Sequence, residues 1–170
     1  MNSGGRADTL RLCGTEPESI VDGPGFRFVV FVQGCPHHCP GCHNPETHDP
    51  CGGKPVEHET ILAEIDKNPL LAGVTLSGGD PVCQAAALLP LARAIKERGL
   101  SLWMYTGYTF EQLMEQDENV KALTALCDCV VDGPFLLAQR SLELRFRGSS
   151  NQRLIDVART LKEGRVVTME

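Results

Sequence analysis

Residues 28–32, FVVFV, are apolar without alternation and rich in β-branched and aromatic side chains, the pattern of a strand covered on both faces. Over 59–68, ETILAEIDKN sets Ile61, Leu62 and Ile65 on one helical face, and 73–76 reads as a second short strand. Residues 85–98 are rich in alanine and leucine with charges placed late, and Gly99 stands where a helix carboxyl cap belongs. A third strand is predicted over 100–105. Thr109 followed by Gln112 has the form of a capping box, opening a helix that runs to about residue 126 with a break near Asp117. Residues 129–131 predict a fourth strand, and 153–157 another after the turn 147–150.

Strands alternating with helices at this spacing predict an α/β fold of βα units around a parallel sheet, either open or curled into an incomplete barrel. In such sheets binding sites collect at the carboxyl ends of the strands. The loops that start at Gly34, at Ser77, at Thr106 and at Asp132 all follow predicted strands, so they are expected to converge on one rim.

Composition narrows the class. A length of 170 residues suits one domain with one core, with residues 1–18 as a loosely ordered N-terminal segment. A hydrophobic content of 42 % with 22 % charged residues is that of a globular chain. The amino terminus has no apolar core of signal-peptide length and no run approaches a membrane span, which predicts a cytoplasmic protein without membrane attachment. A formal charge of −6 and the lack of any lysine or arginine run argue against nucleic acid as a partner.

Disulfides are rare in the cytoplasm, so the eight cysteines point to metal or redox chemistry. Three of them, Cys35, Cys39 and Cys42, lie in CPHHCPGC, just past the carboxyl end of the first predicted strand. A cubane iron–sulfur cluster takes one thiolate per iron, so three cysteines would leave one iron open to another ligand. The competing arrangement is a zinc shell closed by His37, His38 or His43. Against it, zinc knuckles generally bring two ligand pairs on separate turns, and no second CxxC follows here at finger spacing. Cys127 and Cys129 read as core, as do Cys13, Cys51 and Cys83, with Cys51 near enough to the loop to bear on it. The turn Ser77-Gly78-Gly79-Asp80 offers glycines that admit a ligand close to the backbone and a carboxylate suited to an ammonium group.

With Cys35, Cys39 and Cys42 at this spacing and Ser77–Asp80 after the second predicted strand, the chain resembles the radical S-adenosylmethionine enzymes. Around the loop, VDGPGFRFVVFVQGCPHHCPGCHNPET resembles the glycyl-radical-enzyme activases, and LSGGDP, WMYTGY, VVDGPF and FRGSSNQR are similar to the branch that activates anaerobic ribonucleoside-triphosphate reductase. The resemblance spans about residues 19–156, and the ferredoxin-like insert of larger activases is lacking between His43 and Glu57.

It implies an incomplete TIM-type βα barrel of the radical S-adenosylmethionine type. Cys35, Cys39 and Cys42 would hold a [4Fe–4S] cluster whose fourth iron binds the amino and carboxylate groups of S-adenosylmethionine. One electron from a low-potential donor such as flavodoxin would cleave that cofactor, and the resulting 5′-deoxyadenosyl radical would take a hydrogen atom from a glycine of the reductase. Gly41, Cys42 and His43 would line the adenosine side through their backbone, Gly78, Gly79 and Asp80 would hold the methionine amino group, and Thr106 and Asp132 would lie near the methionine or ribose. Two departures stand out: aspartate at 80 where many relatives carry glutamate, and Gly41 where they carry a bulky apolar residue. Asp22, Arg27 and the tail 147–153 are expected to shape the partner surface or brace the loop, Arg27 and Arg147 by salt bridges. Trp103 and Tyr105 read first as strand core, and His37 and His38 as exposed. The rival functions are activation of another glycyl radical enzyme, of the formate-lyase type, and a non-catalytic zinc-binding interaction domain.

Overall fold

A computed structural model describes residues 9–42 and 44–169. Their backbone forms one seven-stranded mixed sheet, ordered β3-β1-β2-β4-β5-β6-β7, of β1 (Thr9–Ser19), β2 (Phe26–Val32), β3 (Lys54–Glu57), β4 (Leu71–Gly78), β5 (Ser101–Tyr105), β6 (Cys129–Asp132) and β7 (Arg153–Asp156). The helices are α1 (His58–Asp66), α2 (Ala85–Glu97), α3 (Phe110–Leu113), α4 (Glu118–Leu126) and α5 (Val157–Glu163).

The four central strands, β2, β4, β5 and β6, run parallel, as the βα alternation predicts. The flanking strands correct the expectation of a parallel sheet: β1 is antiparallel to both β2 and β3, and β7 is antiparallel to β6. The segment 9–18, expected to be loosely ordered, is almost all of β1, and its Leu10 and Leu12 are buried. Polar and charged residues fill the second half of that strand, TEPES, which hides it from a periodicity reading. Residues 1–8 lie outside the described chain.

Local signals set the helix boundaries. Thr109 and Gln112 form the reciprocal capping box of α3, and Asp117 caps α4 through Val120 N, so the expected break is a second helix start. Gly99, at φ +75°, follows α2 in the left-handed conformation that a carboxyl cap needs.

The two faces of the sheet differ. Phe28, Val30, Val32, Val74, Leu76, Leu102, Met104 and Val130 point to the side where α1, α2 and α4 pack, and they build the main core. Arg27, Thr75, Trp103, Tyr105, Cys129 and Val131 point the other way, where loops rather than helices cover the sheet. Arg27 is fully buried there and, among the described residues, makes no salt bridge, contrary to expectation. Its guanidinium donates to Thr75 Oγ1 (2.8 Å), Ser101 Oγ (2.9 Å) and the carbonyls of Val74 (3.0 Å), Ser101 (3.2 Å) and Pro24 (3.2 Å), and it lies 5.5 Å from the Trp103 ring centre. Burial lowers its pKa to about 10, which still leaves it charged at neutral pH. Through Pro24, and through Thr75 donating to Asp22 O at 2.7 Å, it braces the DGPG loop against the sheet. Among the described residues, no helix is long and apolar enough to cross a membrane.

Candidate iron–sulfur site

The cysteine loop begins where β2 ends. Gly34, at φ +103°, turns the chain, and its N–H donates to Thr47 O at 2.6 Å while Cys35 N donates to His48 O at 3.2 Å. The chain thus leaves the sheet, crosses Cys35 to Cys42, and is tied back by the segment 47–48. Within it, Cys42 N donates to Cys39 O at 3.0 Å, and His38 and Gly41 adopt positive φ. Asn44 N donates to the Cys42 sulfur at 3.4 Å, and His48 Nε2 lies within hydrogen-bond distance of the same sulfur, also at 3.4 Å.

The SGGDP turn lies directly against this loop. Gly79 N donates to Val32 O (2.9 Å) and Asp80 N to Gly34 O (2.8 Å). A Cβ on Gly78 would lie 2.5 Å from Val32 N, and one on Gly79 would lie 2.2 Å from Gly34 O. The two glycines are therefore demanded first by the approach of two backbones, and only then leave their surface open to a ligand.

Asp80 departs from its expected place. It is 1 % exposed, and its carboxylate accepts from Val82 N (3.0 Å), Thr106 Oγ1 (2.9 Å), Gly107 N (3.0 Å) and the His37 Nε2 side (2.6 Å). With these donors in place the carboxylate is a junction joining the cysteine loop, the SGGDP turn and the β5–α3 turn. His37, expected to be exposed, is instead wedged between Asp80 and the Tyr108 ring, whose centroid is 4.6 Å away, and a Cβ on Gly107 would collide with it at 2.5 Å. Asp132, also 1 % exposed, is bound by Phe110 N (2.8 Å) and by Arg153 through both Nε (3.0 Å) and an η nitrogen (2.5 Å). It anchors the start of α3 and the tail strand.

A cavity of about 770 Å³ opens on the loop-covered face of the sheet. Cys35, Cys39 and Cys42 all line it, together with Gly78, Gly79, Thr106 and Gly107, so the expected convergence of strand-end loops is present. Asp80 and Asp132 do not reach it, and Asp132 is represented by its neighbour Gly133. Gly41 lies beside the cavity with Leu137 over it, where a Cβ would meet Leu137 Cδ1 at 2.9 Å. His43 lies outside the described residues. Cys51 is exposed and away from the cavity, with its carbonyl held by Arg11.

Sequence reasoning missed Asn44 and His48, whose signal was position alone, two and six residues beyond Cys42. It also missed the apolar wall supplied by the β1–β2 loop.

The thiols of Cys35, Cys39 and Cys42 share one cavity wall, a donor set that fits an iron–sulfur cluster. Burial pushes the Cys35 thiol up from its ordinary value, opposed by backbone N–H groups of His37 and His38, so a bound cation would displace its proton. The volume is that of a small-molecule site, with space for a cofactor beside the metal.

Comparison with known proteins agrees with this chemistry. Residues 21–155 match the family described as a 4Fe-4S single cluster domain. The anaerobic ribonucleoside-triphosphate reductase-activating protein of Vibrio cholerae is 38 % identical over 80 % of this chain and 91 % of its own length. That of Escherichia coli K12 is 36 % identical over 80 % and 92 %, and that of Pasteurella multocida 35 % over 80 % and 90 %. Among solved structures, QueE from Escherichia coli aligns at a TM-score of 0.47 and 21 % identity, covering 59 % of this chain and 53 % of that one, too loosely to carry an argument. On the match across 21–155 and identities of this order over four fifths of its length, the chain belongs to the 4Fe-4S family of anaerobic ribonucleoside-triphosphate reductase-activating proteins.

Proposed function

We propose that this protein activates an anaerobic ribonucleoside-triphosphate reductase by generating a glycyl radical on it, with S-adenosylmethionine as cosubstrate. The observation that carries this reading is the single cavity shared by Cys35, Cys39 and Cys42 with the exposed backbone of Gly78 and Gly79, in a chain of this family. The three thiolates would hold a [4Fe–4S] cluster with one iron left to S-adenosylmethionine. When bound, the cluster supplies the electron that cleaves S-adenosylmethionine to methionine and a 5′-deoxyadenosyl radical.

The chain's own part is position and exclusion. Gly34, Thr47 and His48 fix where the cysteine loop leaves the sheet, and Asn44 N directs an N–H dipole at the Cys42 sulfur, where it favours added negative charge, with the His48 imidazole alongside. The open backbone of Gly78 and Gly79, beside the Thr106–Gly107 turn, is the seat for the methionine portion. Gly41 and Cys42, with His43 beyond the described residues, supply the adenosine side. Asp80 and Thr106 act from beneath, by holding these loops in register. With the reductase over the cavity mouth, the loops over the sheet would keep bulk water from the reacting centre.

The sheet order, with β3 and β7 as separate edges, suits a partial barrel whose open side the reductase covers. The chain would work as one domain in the cytoplasm, with a low-potential donor such as flavodoxin supplying the electron. Incubation with reductant, S-adenosylmethionine and purified reductase should give a glycyl radical signal on the reductase, with stoichiometric methionine and 5′-deoxyadenosine. Cofactor cleavage with no radical on the reductase would assign the chain to another glycyl radical partner.

A further inference from the structure

The mouth of the cavity has two unlike lips. On one, the β1–β2 loop exposes Ile20 (68 %), Val21 (70 %) and Phe26. On the other, residues 140–147 turn Leu142 almost fully outward, at 93 % exposed, and carry Arg140, Arg145 and Arg147 against a single acid, Glu143. None of these three arginines has an ion pair among the described residues, whereas Arg98, Arg153, Arg159 and Arg165 each sit on a carboxylate. Arg147 donates to Gln152 O at 2.7 Å, yet its Nε is buried with no acceptor. Arg145 lies over the Phe146 ring, 4.7 Å from its centre.

In a chain of net charge −6, this is a local cationic excess beside exposed aliphatic groups, at the mouth of the cavity that all three thiols line. Arginine and large apolar side chains are the types that dominate protein interface energetics, and unpaired arginines select carboxylates.

We propose that residues 140–147 form a docking lip for an acidic segment of the reductase, with carboxylates of the partner on Arg140 and Arg145 and an apolar partner side chain between Leu142 and the β1–β2 loop. This rests on the functional reading above and adds the chemistry of the partner's surface. The lip sets affinity and register for the reductase, and it leaves binding and cleavage of S-adenosylmethionine to the residues beneath it.

The test compares wild type with Arg140→Glu/Arg145→Glu and, separately, Leu142→Ser, all with clusters reconstituted anaerobically. Affinity for purified reductase is measured at low and high salt, and uncoupled cleavage of S-adenosylmethionine is measured without reductase. The charge reversal should weaken reductase binding at low salt by about 10-fold or more and flatten its salt dependence, with uncoupled cleavage unchanged. Leu142→Ser should weaken binding while keeping the salt slope. Unaltered reductase affinity in both variants, with wild type active, would overturn the docking lip alone. A parallel loss of uncoupled cleavage would overturn it too, by assigning the arginines to the cofactor. A wild type that cleaves S-adenosylmethionine but never binds the reductase would instead overturn the functional reading.

Discussion

Asp80 is the position where two accounts of the site divide most sharply. If its carboxylate is the junction described above, Asp80→Ala leaves Val82 N, Thr106 Oγ1, Gly107 N and His37 Nε2 without their shared acceptor, all of them at or near a buried atom. A hydrogen bond to a charged group contributes roughly 1.5–3 kcal/mol, and such bonds at one carboxylate are not additive, because the freed donors find partial substitutes. Loss of a buried charged partner as a whole costs about 3–5 kcal/mol. For a chain of this size each kcal/mol lowers the melting temperature by about 2–4 °C, so Asp80→Ala should melt about 6–20 °C below wild type. His37→Ala should cost less, and the double variant should melt close to Asp80→Ala alone, because the two side chains share one interaction. Calorimetry of the reconstituted proteins measures the stability, and equilibrium binding of S-adenosylmethionine on the folded protein measures the ligand. A variant with unchanged melting and a tenfold loss of S-adenosylmethionine affinity would refute the reasoning, since the carboxylate would then be free to hold the methionine ammonium.

Gly79→Ala places a Cβ 2.2 Å from Gly34 O, so the cysteine loop must move, and iron bound per chain after reconstitution should fall well below wild type. Replacing Cys35, Cys39 or Cys42 singly by alanine should abolish cluster incorporation, whereas Cys51→Ala and Cys13→Ala, at exposed positions, should leave iron content unchanged; iron and sulfide analysis decides. Burial raises the Cys129 thiol to about 12 and pushes Cys127 up as well, so between about pH 9 and 12 the unfolded chain releases protons that the folded chain keeps. Stability should therefore fall as pH rises through that window and show no contribution from these thiols below it, and Cys129→Ala should flatten the decline in urea midpoints measured from pH 8 to 10.5.

The central architecture is legible in the sequence because periodicity and capping report it directly. FVVFV marks β2, Thr109 with Gln112 marks α3, and Gly99 marks the end of α2. The flanking strands are not legible in the same way. β1 ends in TEPES and β3 is KPVE, so neither shows an apolar alternation, and both are held by pairing with their neighbours rather than by local preference. The antiparallel course of β7 depends on the long return through residues 133–152, which no local pattern encodes.

The same division runs through the site. That the three cysteines and two glycines meet at one cavity is legible because their spacing after predicted strands is itself the signal. The roles of Asp80 and Asp132 are not, because a carboxylate at a strand end is suited equally to a ligand and to buried N–H groups, and only the fold shows which donors surround it. His48 enters because the chain doubles back after Pro45, bringing a side chain six residues distant in sequence to the sulfur of Cys42.

Electron paramagnetic resonance of the reconstituted, reduced protein, with and without S-adenosylmethionine and before any reductase is added, bears most directly on the claim that three thiolates hold a cluster with one open iron. A [4Fe–4S]⁺ signal that changes shape when S-adenosylmethionine is added is the predicted result. No such signal, together with stoichiometric zinc in the anaerobically isolated protein, would contradict the claim.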